Sequence, residues 1–246
     1  MKTLQYLIIL CWLFLLCYSN HAIAGAAETD FGEQSSIKCI DRERKALLRF
    51  KQGILSSWGD IEDCCQWRGI RCSNRTGHVI MLHLHGYFVR YGEYIICVEG
   101  KLDTSLFELT HLKYLDLSFS GFDQQPIPSS IDSLTELEHL NLANAGFFGE
   151  IPSQLGNLSK LASLDLSLNP ELTAKSLQWL SNLTLLREIN LSHSNLSEST
   201  DWINKLPFLR KLFLDTCYLP PTFPSSTFSY INSSIPLRVV SLSYNI

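Results

Sequence analysis

The sequence predicts an α/β solenoid, a curved stack in which each repeat adds one short strand to a parallel sheet on the concave side. Two observations predict it. An apolar pattern recurs along most of the chain, and a cysteine-rich segment precedes it, which we interpret as a disulfide-stapled amino-terminal cap. A hydrophobic content of 46% and a charged content of 18% suit one or two globular domains, and they argue against a disordered, collagen-like or polytopic membrane chain.

The first 24 residues have the features of a secretory signal peptide. Lys2 is their only formal charge, residues 7–17 are entirely apolar, and Ala22 and Ala24 occupy the small-residue positions of a cleavage site. The alternative is a retained signal anchor, but this apolar run is short for a span that needs about 20 residues. Cleavage leaves residues 25–38 as a leader and carries six cysteines into an oxidising compartment.

Residues 39–77 are predicted to form the cap. A helix that begins at Ile40 or Asp41 and ends near Gly53 has an apolar stripe, which consists of Ala46, Leu47, Phe50 and Ile54. The cysteines of the cap are Cys39, Cys64, Cys65 and Cys72. Bonding the two adjacent cysteines demands strained geometry, so two of the three pairings stay open. A zinc site is the less favoured alternative, because no CxxC pair is present and the secretory route favours disulfides.

Residues 78–246 are predicted to form about seven leucine-rich repeats, the last of them incomplete. The pattern LxxLxL is degenerate at Val79 and then starts again at Leu112, Leu137, Leu161, Leu186, Leu209 and Leu237. The clear starts fall 25, 24, 25, 23 and 28 residues apart, within the range of such repeats. Alternation within LxL indicates a strand with its leucines inward and the residue between them outward. The remaining residues are expected to return over the convex side as 3₁₀ or helical turns.

An insertion at residues 87–100 lengthens the first repeat and is rich in aromatic residues. We interpret it as packing over the first repeats rather than as a loop that contacts a ligand. It contains Cys97, whereas Cys217 occupies the Asn-or-Cys position of a later repeat and is predicted to be a buried thiol. Because a stack keeps the two apart, Cys97 is expected to be free or paired with another molecule.

The concave face is the predicted recognition surface. Amides, carboxylates, aromatic rings and late basic groups on one face suit a peptide, protein or glycan ligand. The predicted residues are His83, Tyr114, Asp116, Phe119, His139, Asn141, Asn144, Asp165, Arg187, His193, Arg210, Phe213 and Tyr244. The alternative is a solvated face that binds nothing in this portion of the chain.

No catalytic residue, cofactor or metal site is predicted. Asp116 and Asp165 lie two repeats apart, about 10 Å across a sheet, which is at the edge of a glycosidase pair. His83 and His85 face one side of a strand as metal ligands do, but no third ligand is evident, so a solvent-facing pair is favoured. Phosphate-loop, GxSxG and kinase motifs are absent from the sequence. A net charge of -4 without a basic block argues against nucleic-acid binding.

Six Asn-x-Ser/Thr triplets predict a glycosylated extracellular chain. They begin at Asn74, Asn157, Asn182, Asn190, Asn195 and Asn232. Asn190 falls in the concave column, where a glycan would block binding.

Specific motifs resemble a known family. The runs CIDRERKALLRFK (39–51), LSSW (55–58), DCCQWRGIRC (63–72) and TGHVI (76–80) resemble the cap of plant extracellular leucine-rich-repeat receptors. They are most similar to receptor-like proteins of the ethylene-inducing-xylanase receptor type. FGEIP at 148–152 matches the plant repeat signature LxGxIP with Phe in the Leu position. The resemblance implies disulfides between Cys39 and Cys64 and between Cys65 and Cys72.

By this resemblance, the chain is a non-enzymatic, ligand-binding ectodomain fragment in defence or developmental signalling. The family implies an extracellular ligand, a leucine-rich-repeat co-receptor or adaptor kinase, and attachment to the plasma membrane through a carboxy-terminal segment. Since the chain stops at Ile246 just after a predicted strand, we expect it to be the amino-terminal part of such a receptor. The alternatives are an apoplastic inhibitor of cell-wall-degrading enzymes similar to polygalacturonase-inhibiting proteins, and a decoy or non-functional fragment.

Overall fold

The computed structural model describes residues 38–51, 58–89, 93–95, 98–122, 124–196, 206–219 and 237–245, with 87–89 and 93–95 described in their backbone alone. These residues belong to one compact unit, Ile37–Ile246. The predicted signal peptide, all of the leader before Lys38, Cys97 and Asn232 lie outside the described residues. Within them, no helix has both the length and the apolar character to cross a membrane.

The cap begins with helix α1, Asp41–Phe50, which ends before the predicted end near Gly53; Gly53 and Ile54 lie outside the described residues. Its acidic first turn is favourable at the positive end of the helix dipole, and it buries Ala46, Leu47 and Phe50 as the apolar stripe predicts. The Ser105 hydroxyl donates to the carbonyl of Ala46 at 3.0 Å and thereby ties the helix to the first repeat.

Two disulfides close the cap. They join Cys39 to Cys64 and Cys65 to Cys72, the pairing that the family resemblance implies. Asp63 links the backbone of the two disulfides, because its Oδ1 accepts hydrogen bonds from the backbone N–H groups of Cys39 at 3.0 Å and Cys65 at 3.1 Å.

The described residues form fourteen short strands. In chain order they are β1 Ile70–Cys72, β2 Val79–His83, β3 Tyr87–Val89, β4 Glu93–Ile95, β5 Glu99–Gly100, β6 Tyr114–Asp116, β7 Gly121–Phe122, β8 His139–Asn141, β9 Gly149–Glu150, β10 Ser163–Asp165, β11 Leu172–Thr173, β12 Glu188–Asn190, β13 Lys211–Phe213 and β14 Val239–Ser241. Eight of them form one sheet in the order β1-β2-β6-β8-β10-β12-β13-β14, in which β1 is antiparallel and all other neighbours are parallel. This confirms the predicted solenoid.

The register of the sheet stacks equivalent residues of successive repeats. The central position of each strand lies inward in the order Leu82, Leu115, Leu140, Leu164, Ile189, Leu212 and Val240. Each of these is at most 1% exposed except Val240, at 42%. Burying a leucine contributes about 1.5–3 kcal/mol, so this column of inward residues is a main source of stability. Each of its residues is buried by its neighbours in the adjacent repeats.

Short 3₁₀ helices and two-residue strands complete the repeats on the convex side. The 3₁₀ helices of the repeats are Thr104–Glu108, Ser129–Ser133, Ser153–Asn157 and Gln178–Asn182. Strand β5 pairs with β7 and β9 with β11, all in parallel. Within the predicted insertion at 87–100, β3 and β4 form an antiparallel pair.

A buried asparagine holds neighbouring repeats together. Asn169 is 1% exposed, and its Oδ1 accepts from the N–H groups of Ala145 and Phe147 at 3.1 and 3.2 Å. Its Nδ2 donates to the carbonyls of Leu142, Leu166 and Ser167 at 2.9 to 3.1 Å. One side chain thus satisfies five backbone groups, of which the Ser167 carbonyl also accepts from the N–H of Asn144 at 2.8 Å.

Candidate functional site

Two columns of side chains cross the solvent face of the sheet, which we call the concave face. The first column consists of Met81, Tyr114, His139, Ser163, Glu188, Lys211 and Val239. The second consists of His83, Asp116, Asn141, Asp165, Asn190, Phe213 and Ser241. The two columns lie on one face because side chains two positions apart on a strand point the same way.

Carboxylates and amides in the second column close the turn that follows each strand. The side-chain Oδ1 accepts the N–H two residues later, in Asp116 to Ser118 at 3.0 Å and in Asn141 to Ala143 at 3.0 Å. Asp165 and Asn190 repeat this bond to Ser167 and Ser192 at 2.9 and 3.1 Å, and all four are Asx-turns. One side-chain atom of each residue is therefore used for folding.

Asp116 is buried rather than exposed, which corrects the prediction of an outward side chain. It is only 5% exposed. Its Oδ1 also accepts from the Ser118 hydroxyl at 2.7 Å, while its Oδ2 lies 3.4 Å from the Tyr114 hydroxyl and 3.5 Å from Nε2 of His83. Bulky neighbours in both columns cover the carboxylate, an effect of the parallel register that the pattern of one repeat does not contain.

Three rings form a continuous aromatic strip across strands β2, β6 and β8. Tyr114 stacks on His139 with ring centroids 4.4 Å apart and planes 9° from parallel, and the edge of His83 meets Tyr114 at 5.7 Å. Burial lowers the pKa of His139 and raises that of Tyr114, whose phenol the Asp116 carboxylate also holds protonated. The Tyr114 and His139 rings are thus neutral near neutral pH and are held by their mutual stacking.

Four predicted binding residues lie beside the columns rather than in them. Phe119, Asn144, His193 and Tyr244 adopt left-handed backbone conformations, with φ of 55°, 49°, 63° and 58°. Each follows its second-column residue by three positions in the chain. Sequence reasoning missed two further members of this row, Leu168 and Thr216, although their spacing from the repeat leucines is the same and is readable from the sequence.

The basic residues predicted for the face occur at its later end. Arg187 and Arg210 are exposed and adjacent, because the N–H of Arg210 donates to the carbonyl of Arg187 at 2.7 Å. Phe213 is half-buried in the second column, and Lys211 pairs with Glu188 at 2.8 Å in the first. Arg187 and Arg210 each precede a first-column residue by one position, so they lie outside the two columns, in contrast to Lys211.

Asp116 and Asp165 occupy one column but do not face each other across a cleft. Asn141 on β8 lies between them, and Asp165 is engaged by Ser167 and by Nδ2 of Asn190 at 3.1 Å. Both carboxylates have structural partners.

The predicted glycan acceptors differ in exposure. Asn74, Asn157 and Asn182 are exposed, whereas Asn195 is half-buried. Asn190 is half-buried and uses its amide in bonds to Asp165 and Ser192.

Sequence reasoning found no third ligand beside His83 and His85, and the structure supplies one. The parallel register places Asp116 of the next repeat opposite His83. One ligand atom from each of the three lies within 4.8 Å of the others. Glu43, His78 and His111 form a second group in which one ligand atom of each residue lies within 4.8 Å of the others. This group lies between the cap and the first repeats, and nothing in the sequence indicated that its members meet.

Cys217 is a buried thiol, as its repeat position predicts. It is fully buried, its Sγ donates to the carbonyl of Leu191 at 3.1 Å, and burial raises its pKa to about 11. This thiol is structural and is protonated at physiological pH.

Family models match both parts of the described chain. The model for the leucine-rich repeat region matches residues 98–234, and the model for the leucine-rich-repeat N-terminal domain matches residues 40–73. Receptor-like protein EIX1 of Solanum lycopersicum is 43% identical over 89% of this chain and 23% of its own length. Receptor-like protein 6 of Arabidopsis thaliana is 31% identical over 88% of this chain and 24% of its own. The chain thus spans about a quarter of the length of these two relatives.

Solved structures share the fold. The ectodomain of the plant membrane receptor kinase GASSHO1/SCHENGEN3 from Arabidopsis thaliana, in complex with CASPARIAN STRIP INTEGRITY FACTOR 2, aligns with a TM-score of 0.57 and 29% identity over 72% of this chain and 20% of that chain. The PEPR1–AtPEP1 complex aligns with a TM-score of 0.64 and 25% identity over 82% of this chain and 28% of that chain.

Proposed function

The chain belongs to the leucine-rich-repeat receptor-like proteins of plants, and from this premise we propose that it is a non-enzymatic ectodomain portion that binds an extracellular peptide or protein on its concave face. We further propose that it enters the secretory pathway through residues 1–24 and carries glycans on its exposed acceptor asparagines. As part of a longer receptor it would act at the outer face of the plasma membrane.

The aromatic strip of His83, Tyr114 and His139 is the observation that carries this proposal. A stacked Tyr–His pair presents a rigid apolar surface with polar edges, so little conformational entropy of these rings would be lost when a peptide binds. Beside the strip, Asn141 uses its Oδ1 in the turn and would offer its Nδ2 to a peptide carbonyl. This combination of fixed rings and polar groups is typical of binding surfaces in solenoid proteins.

The solved relatives support a peptide ligand. The GASSHO1/SCHENGEN3 and PEPR1 structures are complexes with CASPARIAN STRIP INTEGRITY FACTOR 2 and AtPEP1, respectively. We propose that the present chain uses the same kind of surface, in defence or in development. A leucine-rich-repeat co-receptor or adaptor kinase would transmit the signal, as the resemblance to receptor-like proteins implies.

The test is capture of peptides by the secreted chain. The immobilised chain is exposed to peptides from plant apoplastic fluid and from fungal culture filtrate, and retained species are identified and remade synthetically. Tyr114→Ala and His139→Ala are expected to weaken binding of the synthetic peptide by about tenfold each, the loss typical of a central aromatic contact. The control pair is Glu136→Ala and Lys160→Ala, which removes a 2.6 Å exposed ion pair away from the two columns.

Equal binding by the aromatic and control variants would refute recognition by the strip. Inhibition of a fungal polygalacturonase by the purified chain, without capture of any peptide, would instead establish the inhibitor alternative. A chain that folds, captures nothing and inhibits nothing would be a decoy or a non-functional fragment.

A further inference from the structure

We propose that His83, His85 and Asp116 form a binding site for a divalent transition-metal ion, Zn²⁺ or Cu²⁺, at the edge of the aromatic strip. Nε2 of His83 lies 2.6 Å from Nδ1 of His85 and 3.5 Å from Oδ2 of Asp116. All three ligand atoms lie within 4.8 Å of one another. This site does not depend on the identity of the peptide or protein ligand proposed above.

The separations suit a tetrahedral ion after a small movement. Bonds of about 2.0–2.1 Å to nitrogen and oxygen put neighbouring ligand atoms roughly 3.3 Å apart. The distance from His83 to Asp116 is already close to this, and the two imidazole nitrogens need to separate by less than about 1 Å. His83 can make this movement because 40% of its side chain is exposed.

The Asp116 carboxylate is already oriented as a metal ligand would be. Oδ1 of Asp116 is held by the Ser118 N–H at 3.0 Å and hydroxyl at 2.7 Å. Oδ2 is therefore directed toward His83, with the Tyr114 hydroxyl 3.4 Å away. Partners of this kind, which fix a ligand without contacting the ion, commonly raise metal affinity.

One of the two contacting imidazole nitrogens already carries a lone pair. A nitrogen–nitrogen contact of 2.6 Å requires that one ring donate a proton and the other accept it, so the donating nitrogen becomes a ligand when its ring loses that proton or changes tautomer on metal binding.

The donor set selects the class of ion. Two imidazoles with one carboxylate suit zinc and copper, whereas Ca²⁺ and Mg²⁺ require more oxygen ligands than this face provides. The remaining position is open to water, because the site lies on the solvent side of the sheet.

The second cluster has similar residue types but unsuitable geometry. Glu43 is committed, because Oε2 accepts from the Val79 N–H at 2.7 Å and Oε1 contacts Nδ1 of His78 at 2.8 Å. The rings of His78 and His111 stack face to face, with centroids 3.6 Å apart and planes 12° from parallel. Stacked rings cannot both direct an in-plane lone pair at one ion. His78 therefore provides the matched control.

The experiment is titration calorimetry of the full secreted chain, prepared without a polyhistidine tag, with ZnCl₂ and CuCl₂, and with CaCl₂ and MgCl₂ for comparison. The variants are His83→Asn, His85→Ser and Asp116→Asn, and the control is His78→Gln. Each variant introduces a residue that other repeats carry at the same position, as Asn141 and Ser118 illustrate, so the turns should survive. Melting curves of every variant verify folding.

One Zn²⁺ or Cu²⁺ per chain is expected at the site, with little heat from Ca²⁺ or Mg²⁺. Loss of an outer-shell partner already costs about 10–100-fold in affinity, so loss of a direct ligand should cost at least that. His78→Gln should bind as the parent does. The proposal is overturned by an absence of saturable binding, by equal affinity in the three folded variants, or by loss of binding in His78→Gln. If one variant fails to fold, the other two decide the outcome.

Discussion

Replacing Asn169 with alanine is expected to destabilise the solenoid more than truncation of any other asparagine at the equivalent position of a repeat. The change leaves the N–H groups of Ala145 and Phe147 buried without an acceptor. Each unsatisfied donor costs about 1–3 kcal/mol, so the two give about 2–6 kcal/mol. The carbonyls add less, because that of Ser167 keeps a 2.8 Å bond from the N–H of Asn144. A loss of this size is a large part of the stability of an ordinary domain.

The assay is urea unfolding of the parent and the variant, followed by circular dichroism. Asn245→Ala is the matched control, because Asn245 makes the same five kinds of contact to the backbone of its own and the preceding repeat but is half-exposed. Water can replace those contacts, so its truncation should cost about 1 kcal/mol. Equal losses in the two variants would refute the argument that burial of the network sets its energetic value.

Three further outcomes are expected. Gly69→Ala should destabilise the cap by more than about 2 kcal/mol, because φ is +81° and an added Cβ would lie 2.5 Å from the carbonyl oxygen of His83. Acidification from about pH 7.5 to 5.5 should lower the melting temperature of the parent more than that of His139→Gln. Burial lowers the pKa of His139 in the folded chain, so the unfolded chain binds more protons as the pH falls through about 6.5. Cys217 should resist iodoacetamide in the native chain at about pH 8 and react fully in urea, because its thiol is buried with a pKa of about 11.

Controls for these experiments come from the chain itself. Gly149 has φ of +79° with no atom near an added Cβ, so Gly149→Ala should lose only the conformational part, about 1–2 kcal/mol. Similar losses in the two glycine variants would contradict the steric argument. For His139→Gln, a constant offset from the parent at every pH would show that the ring contributes stacking alone. Labelling of Cys217 in the native chain would show that its repeat opens readily.

The repeat pattern predicted the fold well, because its physical cause is local and recurs. Alternation places Leu115 and Leu140 inward whatever lies far away in the chain, and equal spacing aligns the strands. The buried thiol of Cys217 and the apolar stripe of α1 followed from position in the same way. The cysteine pairing required the family resemblance, since spacing alone left two solutions.

Which side chains meet in the candidate site depends on contacts between repeats. Seen within its own strand, Asp116 is an outward carboxylate, and His83 and His85 are an incomplete ligand pair. The parallel register brings these three together from adjacent repeats, and it buries the carboxylate under neighbouring rings. The stacking of Tyr114 on His139 has the same origin. Hydrophobic periodicity determines by itself which residues enter the core, but the side chains that meet across the concave face are chosen by the stacking of successive repeats, which only the tertiary structure decides.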